Sequence, residues 1–254
     1  MLLSLVIPAR NEAKRIEGTL VAYAEAFSRD TEILVVVNGT TDATADIARR
    51  CAEPYPHVTV IDIPEKIGKG GAVRAGFMRA RGTYVGFVDA DMATAPHEYR
   101  RILVAAQTAD GAFGSRWIRG SRVLGRSPLR AVASRMFVGV VQSLVGLHWA
   151  DTQCGAKIFH RRFLPAYLAA SRVNDLAFDV ELLLLLERAG AHLVEVPTVW
   201  VSQPGSNALG SPFAFVRHAM TMLRSILKLR REAAGAPLPA EAPAPAETPA
   251  NGTR

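Results

Sequence analysis

The sequence contains very little cysteine. Its 254 residues include only Cys51 and Cys154, which are far apart and have no CxxC spacing. A disulfide framework and a cysteine-based zinc site both require more cysteines at closer spacing, so the composition excludes them. Two isolated thiols fit a reducing, cytoplasmic setting.

Long hydrophobic runs are also absent. The longest apolar stretches, Phe137–Leu147 and Leu182–Leu186, are shorter than the roughly 20 residues that a membrane-spanning helix requires. The N-terminal run MLLSLVI has no basic segment before it and no small-residue cleavage site after it, which favours a first β-strand over a signal peptide. We therefore expect a globular protein with no transmembrane segment.

Acidic residues are missing from one long stretch of a basic chain. No Asp or Glu occurs from Gly111 to Ala150, whereas arginines recur there every three to five positions. The formal net charge is +7 and the pI is near 9.8. This balance indicates an acidic partner, which is a nucleic acid, an anionic membrane surface or a phosphorylated substrate.

The C-terminal segment differs in composition from the rest of the chain. Residues 232–254 consist mainly of Ala, Pro and Glu and contain no aromatic residue, so they cannot bury enough surface to offset their chain entropy. We predict that this segment is a disordered tail and that residues 1–231 form one folded domain. The tail has three Glu and one Arg, so the basic excess lies on the domain.

Short β-rich runs alternate with longer helical patterns. The strand-like runs are LLSLVI, EILVVV, VTVIDI and YVGFVD. The helix after the first of these strands is expected to end near Phe27. The helices after the next three strands are expected to cover Asp42–Cys51, Gly70–Arg79 and Pro96–Gln107. This alternation predicts an α/β fold with a mostly parallel sheet covered by helices on both faces. Ligands bind such sheets at the carboxyl ends of the strands.

The C-terminal half contains fewer regular patterns. We expect a helix over Asp179–Arg188, a strand over His192–Val196 and a final helix over Pro212–Arg231. Asp179 and Glu181 are two residues apart and do not share a helix face, so at least one of them has a structural role. The final helix is basic and amphipathic, which is consistent with an anionic membrane surface or with ordinary packing on the sheet.

Two carboxylates follow the strand YVGFVD. Asp89 and Asp91 are one residue apart and repel each other unless a cation lies between them. Carboxylate oxygens are ligands that Mg²⁺ and Mn²⁺ prefer, and such a metal usually also binds substrate phosphates. The pattern therefore indicates a metal site, although a polar turn with solvated acids is its simpler interpretation.

The segment EKIGKGGAVRAG is a glycine-rich turn that opens a helix and contains Lys69. Free backbone N–H groups and the positive end of a helix favour a phosphate there. The segment lacks the spacing and the Ser or Thr of an ATPase phosphate loop. A glycine-rich helix start with a solvated lysine explains it equally well.

Eight motifs occur in order along nearly the whole of the domain: VIPARNE, VVVNGTTDAT, GKGGAVRAG, DADMAT, GSR, DTQCGAK, FDVELL and EVPTVW. Together they resemble the family-2 glycosyltransferases, and most closely those that transfer glucose or mannose to dolichyl or polyprenyl phosphate. The resemblance implies a GT-A (Rossmann-like) fold for a catalytic domain at residues 1–231.

The resemblance also implies a site for a nucleotide-sugar donor and a divalent metal, Mg²⁺ or Mn²⁺. The metal ligands would be Asp89 and Asp91. The donor-binding residues would be Pro8, Arg10, Asn11, Glu12, Asn38, Lys69, Asp89 and Asp91. The family usually has an acidic pair where this chain has Val37 and Asn38. The side-chain amide of Asn38 would therefore contact the nucleotide base.

Further positions match the acceptor side of the family. Arg116, Arg130 and Ser134 correspond to residues that hold the acceptor's phosphate, and Gln203 lies in a segment similar to a mobile acceptor loop. Asp151 lies where relatives with hydroxyl acceptors have a general base. A lipid phosphate is already ionised, so Asp151 would then position groups. The implied catalytic residues are Asp91, Asp151 and Arg116.

The sequence thus predicts an inverting transfer of a hexose from UDP-glucose, with GDP-mannose close behind, to a polyprenyl or dolichyl phosphate. The enzyme would contact an anionic membrane peripherally at its cytoplasmic face and bind no nucleic acid. Three alternatives stay open: the same fold with a soluble hydroxyl acceptor, a sugar nucleotidyltransferase, and a non-enzymatic nucleic-acid binder. This chain lacks the glycine-rich signature that a nucleotidyltransferase normally has near its first strand. It also has no recognisable nucleic-acid-binding motif.

Overall fold

The computed structural model describes residues 1–27, 30–125, 135, 138–139, 142–144, 146–202 and 220–228. The strands are β1 Leu3–Ala9, β2 Thr31–Asn38, β3 Val58–Ile63, β4 Tyr84–Val88, β5 Gly111–Ser115, β6 Arg122–Leu124, β7 Ala156–His160, β8 Leu193–Pro197 and β9 Val199–Val201. The helices are α1 Ile16–Ala26, α2 Thr44–Ala52, α3 Gly68–Phe77, α4 Pro96–Gln107, α5 Leu164–Ala170 and α6 Phe178–Arg188, with a 3-10 turn at Arg161–Phe163. Residues 220–228 are also helical.

Seven strands form one sheet in the order β3-β2-β1-β4-β7-β5-β8. Strands β3, β2, β1 and β4 are parallel, β7 is antiparallel to both β4 and β5, and β8 is parallel to β5. Strands β6 and β9 form a separate parallel pair. The mostly parallel α/β sheet predicted from the sequence is therefore confirmed. The antiparallel strand β7 was not predicted.

Helices cover both faces of the sheet, so the central strands are buried on both sides. All residues of β1 and β2 are buried, as expected for parallel strands between two helical layers. Helices α1, α2 and α4 pack with one set of strand side chains. Helices α3, α5, α6 and the segment 220–228 pack with the other set. The two cores leave the carboxyl ends of the parallel strands as the open edge.

The predicted final helix is described only in part. Met222 and Ile226 are buried in the core cluster that also contains residues of α3 and α6, whereas Arg224 and Leu227 are exposed. The segment 220–228 therefore packs on the domain by its apolar face, as an ordinary surface helix does. No helix within the described ranges is long and apolar enough to cross a membrane.

Candidate active site

The two aspartates of the DxD motif lie in the turn that follows β4. The backbone N–H of Asp89 donates to the carbonyl of Gly155 at 3.0 Å, and Asp91 Oδ1 accepts the backbone N–H of Ala93 at 3.0 Å. Met92 has a φ of 59°, a left-handed conformation that costs a non-glycine residue about 1–2 kcal/mol. The turn thus holds both carboxylates at the carboxyl edge of the sheet with some local strain.

The charges of Lys69 and Arg15 compensate the charge of Asp91 only in part. Burial raises the pKa of its carboxyl, and the neighbouring charge of Asp89 raises it further. In the part of the chain that the structure describes, Asp91 forms no ion pair, whereas Asp89 is paired with Lys69. A second cation beside Asp91 would relieve this repulsion.

Lys69 reaches Asp89 from the first turn of α3. Its Nζ lies 2.6 Å from Asp89 Oδ1 and 3.7 Å from Asp179 Oδ2. The ammonium also lies 5.4 Å from the ring centres of Phe87 and Phe178. Burial alone would lower the pKa of Lys69, but the facing carboxylates outweigh it and raise the pKa above its ordinary value. Lys69 is therefore charged and paired with Asp89, which rules out the simpler interpretation of a solvated lysine.

The glycines at the start of α3 allow close backbone packing. A Cβ on Gly68 would lie 2.2 Å from the carbonyl oxygen of Asn174, and one on Gly70 would lie 2.5 Å from that of Val173. The N–H of Gly70 donates to the Asn174 carbonyl at 3.0 Å. The expectation that this turn offers free N–H groups to a phosphate is thus wrong for Gly70, because the loop before α6 already occupies its N–H.

The turns after β1 and β2 are joined by side-chain hydrogen bonds. Asn11, in a left-handed conformation, accepts the backbone N–H of Thr41 at 2.8 Å. The N–H of Glu12 donates to Thr44 Oγ1 at 2.8 Å, and Arg10 Nε donates to the Gly39 carbonyl at 3.2 Å. Arg10 and Asn11 therefore line this edge, and Asn11 also fixes the shape of the loop.

Asn38 ends β2 beside Ala9 of β1 and is almost completely buried. Its Nδ2 donates to the Ala9 carbonyl at 3.4 Å. Its Oδ1 has no hydrogen-bond partner in the part of the chain that the structure describes. An unsatisfied buried oxygen costs free energy, so a ligand N–H would fit here. Pro8 is buried within β1, where it pairs with Val36 of β2.

Glu12 forms an ion pair that the sequence did not predict. Arg15 Nε lies 2.6 Å from Glu12 Oε2, and Arg15 precedes α1. Burial raises the pKa of Glu12, Arg15 opposes that shift, and the charges of Asp91 and Asp89 reinforce it. Glu12 and Arg15 are therefore electrostatically coupled to the two aspartates of the DxD motif.

Arg116 and Asp151, expected on the acceptor side, pair with each other. Arg116 Nε lies 2.6 Å from Asp151 Oδ2 and its Nη2 lies 2.8 Å from Oδ1. The backbone N–H groups of Arg116 and Gln153 donate to the same carboxylate. Burial would raise the pKa of Asp151, but Arg116 outweighs it and the pKa is lowered. A buried carboxylate with both oxygens engaged is a poor proton acceptor, so this geometry favours the positioning role over the general base.

Aromatic rings flank the guanidinium of Arg116. Its Cζ lies 5.8 Å from the ring centre of Trp117 and 5.6 Å from that of Trp200, and Arg135 lies 5.4 Å from Trp117. The predicted acceptor residues Arg130, Ser134 and Gln203 lie outside the described residues. Of the predicted acceptor set, the structure thus describes only Arg116.

Lys157 and Asp179 belong to the site but received no role from the sequence. Lys157 Nζ lies 2.6 Å from Asp179 Oδ1, and Asp179 faces Lys69. Lys157 is a charged residue inside the apolar strand β7, and such a position indicates a buried partner. Glu181 is structural, because it accepts the backbone N–H groups of Arg172 and Val173 and the hydroxyl of Ser171.

The carboxyl edge thus combines a carboxylate pair, a charged lysine and a buried amide oxygen that has no hydrogen-bond partner among the described residues. The sequence model of glycosyl transferase family 2 matches residues 4–168, which contain nearly all of these groups. The chain belongs to glycosyl transferase family 2. This membership identifies a glycosyltransferase in place of the nucleotidyltransferase alternative.

Several relatives of this family-2 glycosyltransferase are about one-third identical to it over the aligned residues. A dolichyl-phosphate beta-glucosyltransferase from Drosophila melanogaster is 35% identical over 222 residues, covering 80% of this chain and 68% of the relative. One from Trichomonas vaginalis is 33% identical, covering 78% of this chain and 63% of the relative. Glycosyltransferase AglD from Haloferax volcanii is 33% identical, and this chain spans only 32% of its length.

Solved structures support the GT-A fold of this family-2 glycosyltransferase. Glucosyl-3-phosphoglycerate synthase from Mycobacterium tuberculosis, crystallised with Mn²⁺, UDP and glucosyl-3-phosphoglycerate, superposes with a TM-score of 0.67 at 17% identity. The match covers 89% of this chain and 79% of the other. At this identity the likeness establishes the fold alone.

Proposed function

We propose that the protein transfers glucose from UDP-glucose to a polyprenyl phosphate, with inversion at the anomeric carbon. The observation that carries the proposal is the arrangement of Asp89, Asp91 and Lys69 at the carboxyl edge of the sheet. The similarity to dolichyl-phosphate glucosyltransferases supports both the sugar and the lipid phosphate.

The carboxylates fit a divalent metal, Mg²⁺ or Mn²⁺. Asp91 is half-buried beside Asp89 and forms no ion pair in the described part of the chain, and both side chains offer oxygen ligands. Within the described ranges, no group of three or more His, Cys, Asp or Glu is arranged to hold a metal. The two aspartates would therefore bind it together with donor phosphates. When bound, the metal would offset the charge of the donor diphosphate.

The protein's own residues divide the remaining work of donor binding. Lys69, charged and fixed, would stabilise the negative charge that grows on the departing diphosphate, a contribution that is usually among the largest in such sites. The free Oδ1 of Asn38 would accept the N–H of the nucleotide base. Arg10, Asn11 and Glu12, which follow β1 at the same edge, would also contact the donor.

The acceptor needs no general base. A phosphate oxygen of the lipid, already ionised, would attack the anomeric carbon as the bond to the diphosphate breaks and UDP leaves. Asp151 is consistent with this reaction because its oxygens are occupied by Arg116. Arg116, paired with Asp151 and close to the rings of Trp117 and Trp200, would contact the acceptor phosphate on this side. We also retain Arg130, Ser134 and Gln203 as acceptor residues on the resemblance alone.

We further propose peripheral contact with an anionic membrane at its cytoplasmic face. The basic excess of residues 1–231 supports this, and Arg224 is exposed on the segment 220–228. The apolar face of that segment is occupied by the core, so the contact would be electrostatic. Each basic residue near such a surface contributes about 1 kcal/mol, and salt screens the attraction over about 8 Å.

A transfer assay with labelled UDP-glucose tests the proposal. We expect product with polyprenyl phosphate in anionic vesicles, a lower rate in neutral vesicles, and a rate in anionic vesicles that falls as salt rises. GDP-mannose should give a slower reaction. Transfer to a soluble hydroxyl compound but not to polyprenyl phosphate would overturn the lipid acceptor, and Asp151→Asn would then be the first variant to measure.

A further inference from the structure

Four side chains of alternating charge run from the core to the metal motif. Lys157 Nζ lies 2.6 Å from Asp179 Oδ1, Asp179 Oδ2 lies 3.7 Å from Lys69 Nζ, and Lys69 Nζ lies 2.6 Å from Asp89 Oδ1. We name this series the charge ladder. It joins β7, α6, α3 and the turn after β4 through side chains alone.

The inner half of the ladder is fixed by burial. The side chains of Lys157 and Asp179 are only 3% and 4% exposed. Lys157 also donates to the Cys154 carbonyl at 2.7 Å. Separating a buried ammonium from its carboxylate leaves an uncompensated charge in a medium of low polarity, which is strongly unfavourable. Asp179 therefore cannot leave Lys157, and its second oxygen stays directed at Lys69.

The outer half of the ladder has more freedom. The side chain of Lys69 is 21% exposed and lies between Asp89 on one side and Asp179 on the other. The rings of Phe87 and Phe178 restrict its path. A lysine has many rotamers, and a fixed carboxylate behind the ammonium reduces the number that lead away from the site. The direction of Lys69 thus depends on a residue that does not itself face the open edge.

We propose that Asp179, anchored by Lys157, is a positioning residue that holds Lys69 at the place where the donor diphosphate binds. The inference rests on the proposed function, because it requires a nucleoside diphosphate beside Asp89. Lys157 has no direct role toward the donor and acts only by fixing Asp179. The loss of either residue would let Lys69 settle elsewhere and would weaken donor binding through Lys69.

A double-mutant cycle tests this coupling. The dissociation constant of UDP is measured by calorimetry with Mn²⁺ for the wild type, Asp179→Asn, Lys69→Met and the double variant. We expect Asp179→Asn to weaken UDP binding by about tenfold in the wild-type background and to have no effect in the Lys69→Met background. Equal weakening in both backgrounds would overturn the proposal, because Asp179 would then act independently of Lys69.

Steady-state kinetics add a readout that a general structural defect would not change. Asp179→Asn should raise the KM for UDP-glucose and leave the KM for the acceptor unchanged. A loss of folded protein alone would lower kcat with both KM values unchanged, and that result would contradict the proposal. If Asp179→Asn does not fold, Lys157→Met replaces it, and the double-mutant cycle of UDP affinity combines Lys157→Met with Lys69→Met.

Glu32→Gln is the matched control. Glu32 is also a buried carboxylate and pairs with Arg81 at 3.0 Å, but it lies near the start of β2, away from the carboxyl edge. This variant should lower the midpoint of thermal unfolding without changing the UDP affinity. Absence of UDP binding by the wild type would overturn the proposed function and this inference together. If the wild type binds UDP but the effects of Asp179→Asn and Lys69→Met on UDP affinity are additive, this inference alone would be overturned.

Discussion

Gly155 has no Cβ, and this leaves the space that the carboxylate of Asp89 occupies. A Cβ at this position would be 1.9 Å from Asp89 Oδ2 and 2.3 Å from its Cγ, while the carbonyl of Gly155 accepts the backbone N–H of Asp89. Aspartate is too short to move its carboxylate away without turning out of the site. Gly155 thus supports the position of the Asp89 carboxylate, although it contributes no side chain of its own.

Gly155→Ala should therefore weaken Mn²⁺-dependent UDP binding by at least about tenfold, which corresponds to about 1.4 kcal/mol. Calorimetry of the purified variant checks this. Gly82→Ala is the control, because Gly82 lies just before β4 and away from Asp89. A Cβ at Gly82 would lie 2.5 Å from the backbone nitrogen of Ser4. The control should be less stable and keep its UDP affinity. Wild-type affinity in Gly155→Ala would show that Asp89 does not set donor binding.

The sequence indicated candidate site residues most clearly where polar side chains follow a strand or open a helix, and the roles of these residues toward a donor remain predictions. Asp89, Asp91 and Lys69 were identified in this way, and the structure brings them together. Lys157 and Asp179 were not, because their role depends on contacts between β7 and α6 that no local pattern reveals. The pairing of Arg116 with Asp151 joins residues 35 positions apart and was hidden for the same reason.

At the level of elements, the first half of the chain was easier to predict than the second. Strands β1 to β4 and helices α1 to α4 alternate, and the helix predicted at Pro96–Gln107 has those bounds in the structure. Strands β5 and β7 lie in segments with mixed patterns, and β7 enters the sheet between β4 and β5. Local periodicity does not determine which strands become neighbours, so this insertion could not be derived from it.

Helix α3 illustrates how a glycine-rich turn can be misinterpreted. Its glycines allow the loop before α6 to approach, and that approach places Asp179 behind Lys69. Arg74 strengthens the same contact, because its Nη1 donates to Ser171 Oγ at 3.1 Å. The sequence GKGGAVRAG therefore encodes packing between two elements as well as the position of a lysine.

Gly70→Ala should lower the free energy of unfolding by about 1–3 kcal/mol, because the new Cβ would lie 2.5 Å from the Val173 carbonyl oxygen and 2.6 Å from Phe178 Cβ. Denaturant unfolding measures the effect. Gly18→Ala, at a helical position with no atom within 4 Å, should instead stabilise the protein by about 0.5–1 kcal/mol. Equal stability of the Gly70 and Gly18 variants would contradict the packing role of Gly70.

At the level of the whole molecule, the fold provides a scaffold and the edge of the sheet provides the chemistry. Two cores hold the parallel strands, and the proposed donor-binding groups come from the carboxyl ends of β1, β2 and β4 together with α3. We retain residues 1–231 as the catalytic domain and residues 232–254 as a disordered tail, and both remain predictions because the tail lies outside the described residues. The basic excess on residues 1–231 suits a phosphorylated donor and acceptor.

The central claim is that Asp89 and Asp91 bind a divalent metal together with the diphosphate of a uridine nucleotide. Calorimetric titration of UDP into the wild type and into Asp91→Asn, each with Mn²⁺ and with EDTA, tests it most directly. We predict metal-dependent binding by the wild type and a loss of more than roughly 100-fold in Asp91→Asn, since replacing a direct ligand should cost more than replacing a group that supports one. UDP binding of equal strength in EDTA, or in Asp91→Asn, would contradict the claim.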